Sequence, residues 1–114
     1  MTGPDNEKGS EMAEYVKVGK LGDFPAGAIR PVSLGEEPVA VANVLGRLYC
    51  FSNYCTHVGL ELSSGYLSEG SVTCLYHGSE FDLGTGEAVG GPAQAPVTLY
   101  SVRVEGDDVL VARD

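Results

Sequence analysis

The sequence predicts an all-β fold of the sandwich or barrel type. Short stretches of alternating apolar and polar residues recur from about residue 15 onward, and Gly, Pro or Asp separates each stretch from the next. No stretch of useful length repeats its apolar residues with the helical period. Runs of short strands without intervening helices are typical of antiparallel sheets, so we expect layers of such sheets.

Length and composition indicate one globular domain. The chain has 114 residues, of which 43% are apolar and 20% are charged. It contains no apolar run long enough to span a membrane, and its N-terminus lacks the basic and apolar regions of a secretory signal. Three cysteines make no paired disulfide framework, which suits a reducing compartment. We therefore expect a cytoplasmic protein.

The net charge of −9 bears on the kind of partner. A surface this acidic repels nucleic acids and anionic membranes, so neither is expected as a partner. It favours a soluble partner with a basic docking patch and a faster encounter at low salt. The alternative is that the acidity only keeps the protein soluble.

The elements follow from local patterns along the chain. Residues 1–14 are polar without a period and predict a disordered tail. The folded domain is then expected over residues 15–114. Pro31 indicates an edge strand or a bulge, and turns are predicted at 36–38 and 46–47. Strands are predicted at 16–18, 28–34, 39–45, 48–52, 72–75, 87–89, 97–104 and 109–112.

Two short motifs carry the chemistry. Cys55-Thr56-His57 and Cys74-Leu75-Tyr76-His77 each offer one thiol and one imidazole, and sixteen residues separate His57 from Cys74. These groups bind zinc, copper and iron. A single zinc ion would accept two Cys and two His, but zinc sites usually group their ligands by type, whereas here both arms are mixed. A Rieske-type 2Fe–2S cluster needs mixed arms, because two thiolates hold one iron and two imidazoles hold the other.

The paired motif resembles the signature of the Rieske family, and residues 78–87 resemble the family's continuation after the last histidine. The resemblance extends over nearly all of the chain from about Tyr15. It implies that Cys55 and Cys74 bind the inner iron of one 2Fe–2S cluster, and that His57 and His77 bind the outer iron. It also implies an antiparallel β-sandwich base with a small inserted cluster-binding subdomain at about 53–96.

Further positions refine the resemblance. Ser79 matches a position whose hydroxyl bonds a bridging sulfide, and Pro92 lies in a stretch that resembles the family's loop covering the cluster. Phe81 stands where the high-potential branch has a hydrogen-bonding Tyr. Leu60 and Tyr76 stand where the quinol-oxidising branch has two cysteines joined as a disulfide. These departures imply the ferredoxin-like branch and a potential toward the low end of the Rieske range.

The function implied is electron transfer. The two histidines are both used by the cluster motif, so no 2-His-1-carboxylate iron site remains, and no flavin or nicotinamide motif is present. We expect a one-electron carrier and not an enzyme. The resemblance implies a flavin-dependent NAD(P)H ferredoxin reductase as donor, a Rieske-type terminal oxygenase acting on aromatic compounds as acceptor, and a monomer.

Two alternative functions remain open at this point, and one cysteine lies outside the two motifs. The chain also resembles the small Rieske-like subunit of assimilatory nitrite reductases, and a zinc-stabilised binding module without redox function is a third possibility. Cys50 lies outside both motifs in a strand-like stretch. It is expected to be a small filler of the sheet.

Overall fold

The computed structural model describes residues 14–56, 61–75 and 78–113. Within these ranges the chain forms eleven strands and two short 3-10 helices. The first strand begins at Glu14, so the tail boundary predicted at residue 14 is wrong by one residue, and residues 1–13 lie outside the described ranges. The elements are β1 Glu14–Lys20, a 3-10 helix Leu21–Asp23, β2 Ile29–Leu34, β3 Glu37–Val44, β4 Arg47–Ser52, a 3-10 helix Leu62–Ser64, β5 Tyr66–Ser68, β6 Ser71–Thr73, β7 Glu80–Asp82, β8 Ala88–Gly90, β9 Leu99–Tyr100, β10 Val102–Glu105 and β11 Asp108–Arg113.

The strands form three antiparallel sheets, which confirms the predicted fold class. The central sheet has the order β9-β4-β3-β2, the outer sheet β10-β11-β1 and the site sheet β5-β6-β7-β8. Strand β2, which contains Pro31, is an edge of the central sheet as predicted, because an edge tolerates the missing N–H of proline. In the described part of the chain, no helix has the length and hydropathy that crossing a membrane would need.

The central sheet separates two apolar cores, because side chains of a strand alternate between its faces. In β3, Val39 and Val41 belong to the cluster shared with the outer sheet, which we call the base core. Ala40 and Ala42 belong to the cluster shared with the site sheet, which we call the site core. The site core also contains residues from β4, the second 3-10 helix and the site sheet, namely Phe51, Leu62, Val72 and Phe81.

Both predicted turns lie earlier in the chain than expected. The first is Gly35–Glu36, and residues 37 and 38 already belong to β3, because a glycine at φ 65° allows a two-residue hairpin turn. The second is Leu45–Gly46, with φ values of 54° and 94°. A leucine with positive φ is unusual, so the sequence did not indicate it as a turn residue.

The strand predicted at 97–104 is wrong as a single element. Leu99 and Tyr100 pair with β4 in the central sheet, whereas 102–105 pair with β11 in the outer sheet. Ser101 lies between the two strands, and its carbonyl accepts a hydrogen bond from Ala112 N–H at 2.9 Å. The alternation of side chains continues through this point, so the sequence pattern does not reveal that the chain changes sheets.

Candidate metal centre

The fold brings the two motif cysteines into the same core. Cys55 follows β4 and Cys74 follows β6, and each is 1% exposed within the site core. Cys50 is also buried, but it belongs to the base core on the other face of the central sheet. The structure thus separates the two candidate ligands from the third cysteine, as the sequence predicts.

The loop that carries Cys55, which we call the first loop (residues 53–63), is closed by hydrogen bonds at its neck, where the two ends of the loop meet. The buried Asn53 accepts Leu62 N–H on its carbonyl at 2.7 Å and Ser63 N–H on its side-chain oxygen at 2.8 Å. Tyr54 and Glu61 form a bridge directly beyond. A buried side chain therefore fixes where the first loop leaves and rejoins the fold.

The loop that carries Cys74, which we call the second loop (residues 74–79), is also closed by hydrogen bonds at its base, but here all of them are between backbone groups. Cys74 N–H donates to the carbonyl of Ser79 at 2.7 Å, and Gly78 N–H donates to the carbonyl of Cys74 at 3.1 Å. Because β6 and β7 pair directly below this neck, the sheet holds Cys74 in place. Leu75, next to Cys74, is 58% exposed, so the chain reaches the surface one residue beyond the buried sulfur.

Ser79 is the polar side chain at this neck, and it is fully buried. Its hydroxyl oxygen accepts Ala93 N–H at 3.1 Å. That bond uses a lone pair of the oxygen, and within residues 14–56, 61–75 and 78–113 no acceptor takes the hydroxyl proton. A buried hydroxyl with a spare proton beside a cysteine-lined core is a suitable donor to a cluster sulfur.

A third segment, the cover loop (residues 91–96), lies against both loops. A Cβ at Gly91 would lie 2.5 Å from the carbonyl oxygen of Gly78, so only glycine allows this approach. Further along, the carbonyl of Ala95 accepts the Thr56 hydroxyl at 2.8 Å. Pro92 itself is exposed between these contacts.

The predicted ligands divide into two groups. Cys55 and Cys74 are described, whereas His57 and His77 lie outside the described residues, as do Leu60 and Tyr76. Sequence reasoning singled out Ser79 and the cover loop but missed Asn53 and Thr56 as residues that hold the loops. An Asn at the start of a loop is a signal for a side-chain hydrogen bond to nearby backbone, whereas Thr56 bonds a distant segment and carries no local signal.

Comparison with known proteins identifies the family. Residues 14–102 match the Rieske 2Fe-2S domain. The chain belongs to the Rieske family. This Rieske chain is 38% identical over 95 residues to the ferredoxin component of biphenyl 2,3-dioxygenase from Rhodococcus jostii, and the match covers 83% of this chain and 89% of the relative.

Two further relatives are similar over nearly the same length. The ferredoxin subunit of 3-phenylpropionate/cinnamic acid dioxygenase from Shigella boydii serotype 4 is 37% identical over 93 residues, covering 80% of this Rieske chain and 86% of that one. A solved complex of reduced oxygenase and oxidized ferredoxin in carbazole 1,9a-dioxygenase contains a chain with 33% identity and a TM-score of 0.80. That match covers 86% of this chain and 92% of the other. The predicted Rieske fold is thereby confirmed.

The residues present fit the cofactor of the family. Two thiolates must hold one iron of a Rieske cluster, and the buried Cys55 and Cys74 in one core meet that need. The cofactor is one 2Fe–2S cluster of the Rieske type, which confirms the prediction and removes the zinc-binding alternative. Since the relatives are ferredoxin components, the prediction of an electron carrier rather than an enzyme is also confirmed.

Charge is distributed unevenly over this Rieske chain. Residues 53–96 contain five acidic residues and no Lys or Arg, so all seven basic residues lie outside the segment that forms the site. Two of them, Lys17 and Lys20, contact Asp108 on the outer sheet at 3.3 and 3.4 Å. Hydrogen bonding from Lys17 lowers the pKa of Asp108, although its carboxylate is open to solvent. The segment that forms the cluster site therefore carries only acidic residues among its Asp, Glu, Lys and Arg side chains.

Proposed function

We propose that this Rieske protein is the ferredoxin of a multicomponent oxygenase system that acts on aromatic compounds. It would accept one electron at a time from a flavin-dependent NAD(P)H reductase and pass it to a Rieske-type terminal oxygenase. The observation that carries the proposal is the 38% identity over 89% of the biphenyl dioxygenase ferredoxin component, a match that leaves little of that relative unaccounted for. The alternative, a small subunit of an assimilatory nitrite reductase, would instead co-purify with a large haem-containing subunit.

The proposed ligands are two buried cysteines and two histidines that lie outside the described residues. Cys55 and Cys74 would bind one iron, and His57 and His77 would bind the other. When bound, the cluster supplies a centre that takes up and releases one electron. The chain's own contribution would be to keep both sulfurs away from water within the site core, and to offer the buried Ser79 hydroxyl as a hydrogen-bond donor to the cluster. Pro92 would lie at the rim of the cover.

Exposed residues beside both cysteines supply a docking surface for the partners. Tyr54 is 44% exposed next to Cys55, and Leu75 is exposed next to Cys74. Glu61, the bridge partner of Tyr54, is also exposed. Because opposed residues of an antiparallel bridge share one face, Tyr54 and Glu61 present an aromatic ring and a carboxylate together. An apolar centre with an acidic border fits a partner with a basic docking patch.

A reconstituted electron-transfer assay tests this function. The holoprotein is mixed with the reductase and oxygenase of a biphenyl-type system, and NADH-dependent product formation is followed as the salt concentration rises. We expect activity that requires the protein and falls with ionic strength, because screening weakens the attraction of opposite charges. Glu61→Gln should reduce the rate, whereas Glu105→Gln, which is paired with Arg103 on the outer sheet, should not.

Two outcomes would argue against this assignment. A protein that cycles between oxidation states but couples no reductase to any oxygenase would not be an oxygenase ferredoxin. A rate of product formation that does not respond to salt would argue against docking to a basic patch on the partner. We further propose that the protein acts as a monomer in the cytoplasm, which light scattering of the holoprotein and cell fractionation would test.

A further inference from the structure

The face of the site sheet that points away from the site core carries a hydrogen-bonded pair of polar side chains. Val72 and Phe81 are paired between β6 and β7 and belong to the site core, so the residues that alternate with them point outward. On that outer face, the hydroxyl of Ser71 lies 2.5 Å from a carboxylate oxygen of Glu80, a length typical of a hydroxyl that donates to a charged carboxylate. The same hydroxyl lies 2.8 Å from the carbonyl of Ser68, so two acceptors share its one proton. This contact holds the Glu80 carboxylate against the sheet.

The Glu80 carboxylate is also confined on its other side and is only partly open to water. Ser71 is 6% exposed, and Glu80 is half-buried. A Cβ at Gly90, which is paired with Glu80 in β8, would lie 3.2 Å from the second carboxylate oxygen, so that oxygen lies over the glycine. No Lys or Arg among the described residues forms an ion pair with this carboxylate. Glu80 is therefore a confined negative charge that no neighbouring cation offsets in the described part of the chain.

This charge lies at the end of the site sheet that adjoins the second loop. Glu80 directly follows Ser79, whose carbonyl accepts the N–H of Cys74. Its partner across the sheet is Thr73, which directly precedes Cys74. Glu69 lies in the turn between β5 and β6, at the opposite end of the same sheet. Of these two carboxylates, only that of Glu80 is next to the strand ends that carry the proposed cluster site.

We propose that Glu80 is a fixed negative charge that lowers the reduction potential of the cluster. Reduction transfers one electron from the donor to the cluster and so adds one negative charge to it. A carboxylate close by disfavours that added charge through space, and protein screens the repulsion less than bulk water does. The inference rests on the proposed ligand role of Cys74. It assigns to this chain a residue that sets the potential through its charge, whereas Ser79 would act through a hydrogen bond.

The partial exposure of Glu80 limits the size of the effect. For a charge in a partly solvated position, neutralisation should raise the equilibrium constant for one-electron reduction roughly three- to tenfold. Since a tenfold change corresponds to about 59 mV for a one-electron couple, the potential should rise by about 30 to 60 mV. The iron content should not change, because the proposed role involves no bond to the cluster.

The test is a potentiometric titration of the isolated holoprotein and three variants at pH 7 and low salt. Glu80→Gln removes the charge, keeps the shape of the side chain and can still accept the Ser71 hydroxyl. Glu80→Asp keeps the charge but shortens the side chain. Glu69→Gln is the matched control, because it removes the same charge from an exposed position at the other end of the site sheet. Iron content and the visible spectrum of each sample report whether the cluster is complete.

We expect Glu80→Gln to hold a complete cluster and to raise the potential by about 30 to 60 mV. Glu80→Asp and Glu69→Gln should shift it much less. A Glu80→Gln potential at or below that of wild type would overturn the proposal.

Three other results would also count against a role of the Glu80 charge. They are an equal rise in Glu69→Gln, an equal rise in Glu80→Asp, and a Glu80→Gln protein that binds no cluster. No electron-transfer partner enters the titration, so the result is independent of the proposed partners. A wild-type protein without a 2Fe–2S cluster would instead contradict the proposed function.

Discussion

The two cores of this protein lie on opposite faces of one sheet and are built on different principles. The base core is closed by regular strands, and β3 contributes the branched side chains Val39 and Val41 to it. The site core receives Ala40 and Ala42 from the same strand, and loops complete it. Small side chains on that face leave room for the two cysteines. Hydrogen bonds at the base of each loop act together with strand pairing to hold the loops that carry them.

The two cores give buried cysteines different chemical roles. In the base core, desolvation raises the pKa of Cys50 to about 12, so the thiol stays protonated and chemically quiet. In the site core, Cys55 and Cys74 are equally buried but belong to a family site that needs thiolates. Burial alone therefore does not distinguish a ligand from a filler; the loops around it do.

The largest expected effect is on cluster binding. Cys55→Ser or Cys74→Ser should give protein without the 2Fe–2S cluster, because each is a proposed ligand of the inner iron. Cys50→Ala should bind a full cluster and lose only about 1–2 kcal/mol of stability from the base core. Iron analysis and chemical denaturation of the three variants check this. A colourless Cys50→Ala protein would contradict the separation of the two cores.

The next effect concerns the approach of the cover loop to the second loop. Gly91 and Gly70 have similar positive φ values of 77° and 87°, but a Cβ would collide with backbone only at Gly91. Gly70→Ala should cost about 1 kcal/mol for the backbone conformation alone. Gly91→Ala should cost more and lower cluster occupancy, because the cover loop must move. Equal unfolding free energies and occupancies for the two variants would show that the close approach is unimportant.

The reduction potential should shift in opposite directions at two buried positions. Ser79→Ala removes a donor and should lower the potential, because hydrogen bonds to sulfur stabilise the reduced cluster. It should also cost about 1–3 kcal/mol of stability, since the buried Ala93 N–H loses its acceptor. Phe81→Tyr adds a donor within the site core and should raise the potential. Potentiometric titration decides, and a Ser79→Ala potential at or above wild type would count against the proposed donor.

The last effect, confined to pH values above about 9, is the pH dependence that arises from Cys50. Below pH 9 both the folded and the unfolded protein carry the thiol, so the group does not influence stability. As the pH rises from about 9 toward 12, the unfolded chain loses the proton first, so the free energy of unfolding should fall. Cys50→Ala should lack this decline, and denaturation of both proteins across this range measures the difference. Parallel curves would mean that the Cys50 thiol titrates normally.

Much of the fold was predictable because its information is local. Alternating side chains identified most strands, and Pro31 correctly indicated the edge of the central sheet. The change of sheet at Ser101 was not predictable, because the alternation runs through it unbroken. The turn at Leu45 was missed because a leucine with positive φ depends on the surrounding pairing and not on its own preference.

The residues of the candidate site differ in how far the sequence alone predicted their roles. The spacing of Cys55 and Cys74 in two mixed motifs indicated a shared site, and the structure places both in one core. The ligand roles of His57 and His77 remain predictions. The hydrogen bond from Thr56 to Ala95 joins residues that are 39 positions apart, and no local pattern encodes such a contact.

Iron and acid-labile sulfide, assayed together with the visible spectrum of the same purified sample, test the central claim most directly. A Rieske cluster predicts about two irons and two sulfides per chain. It also predicts broad visible absorption that bleaches when dithionite is added. A colourless protein that holds one zinc ion would contradict the account and leave the two cysteine loops as a structural metal clip.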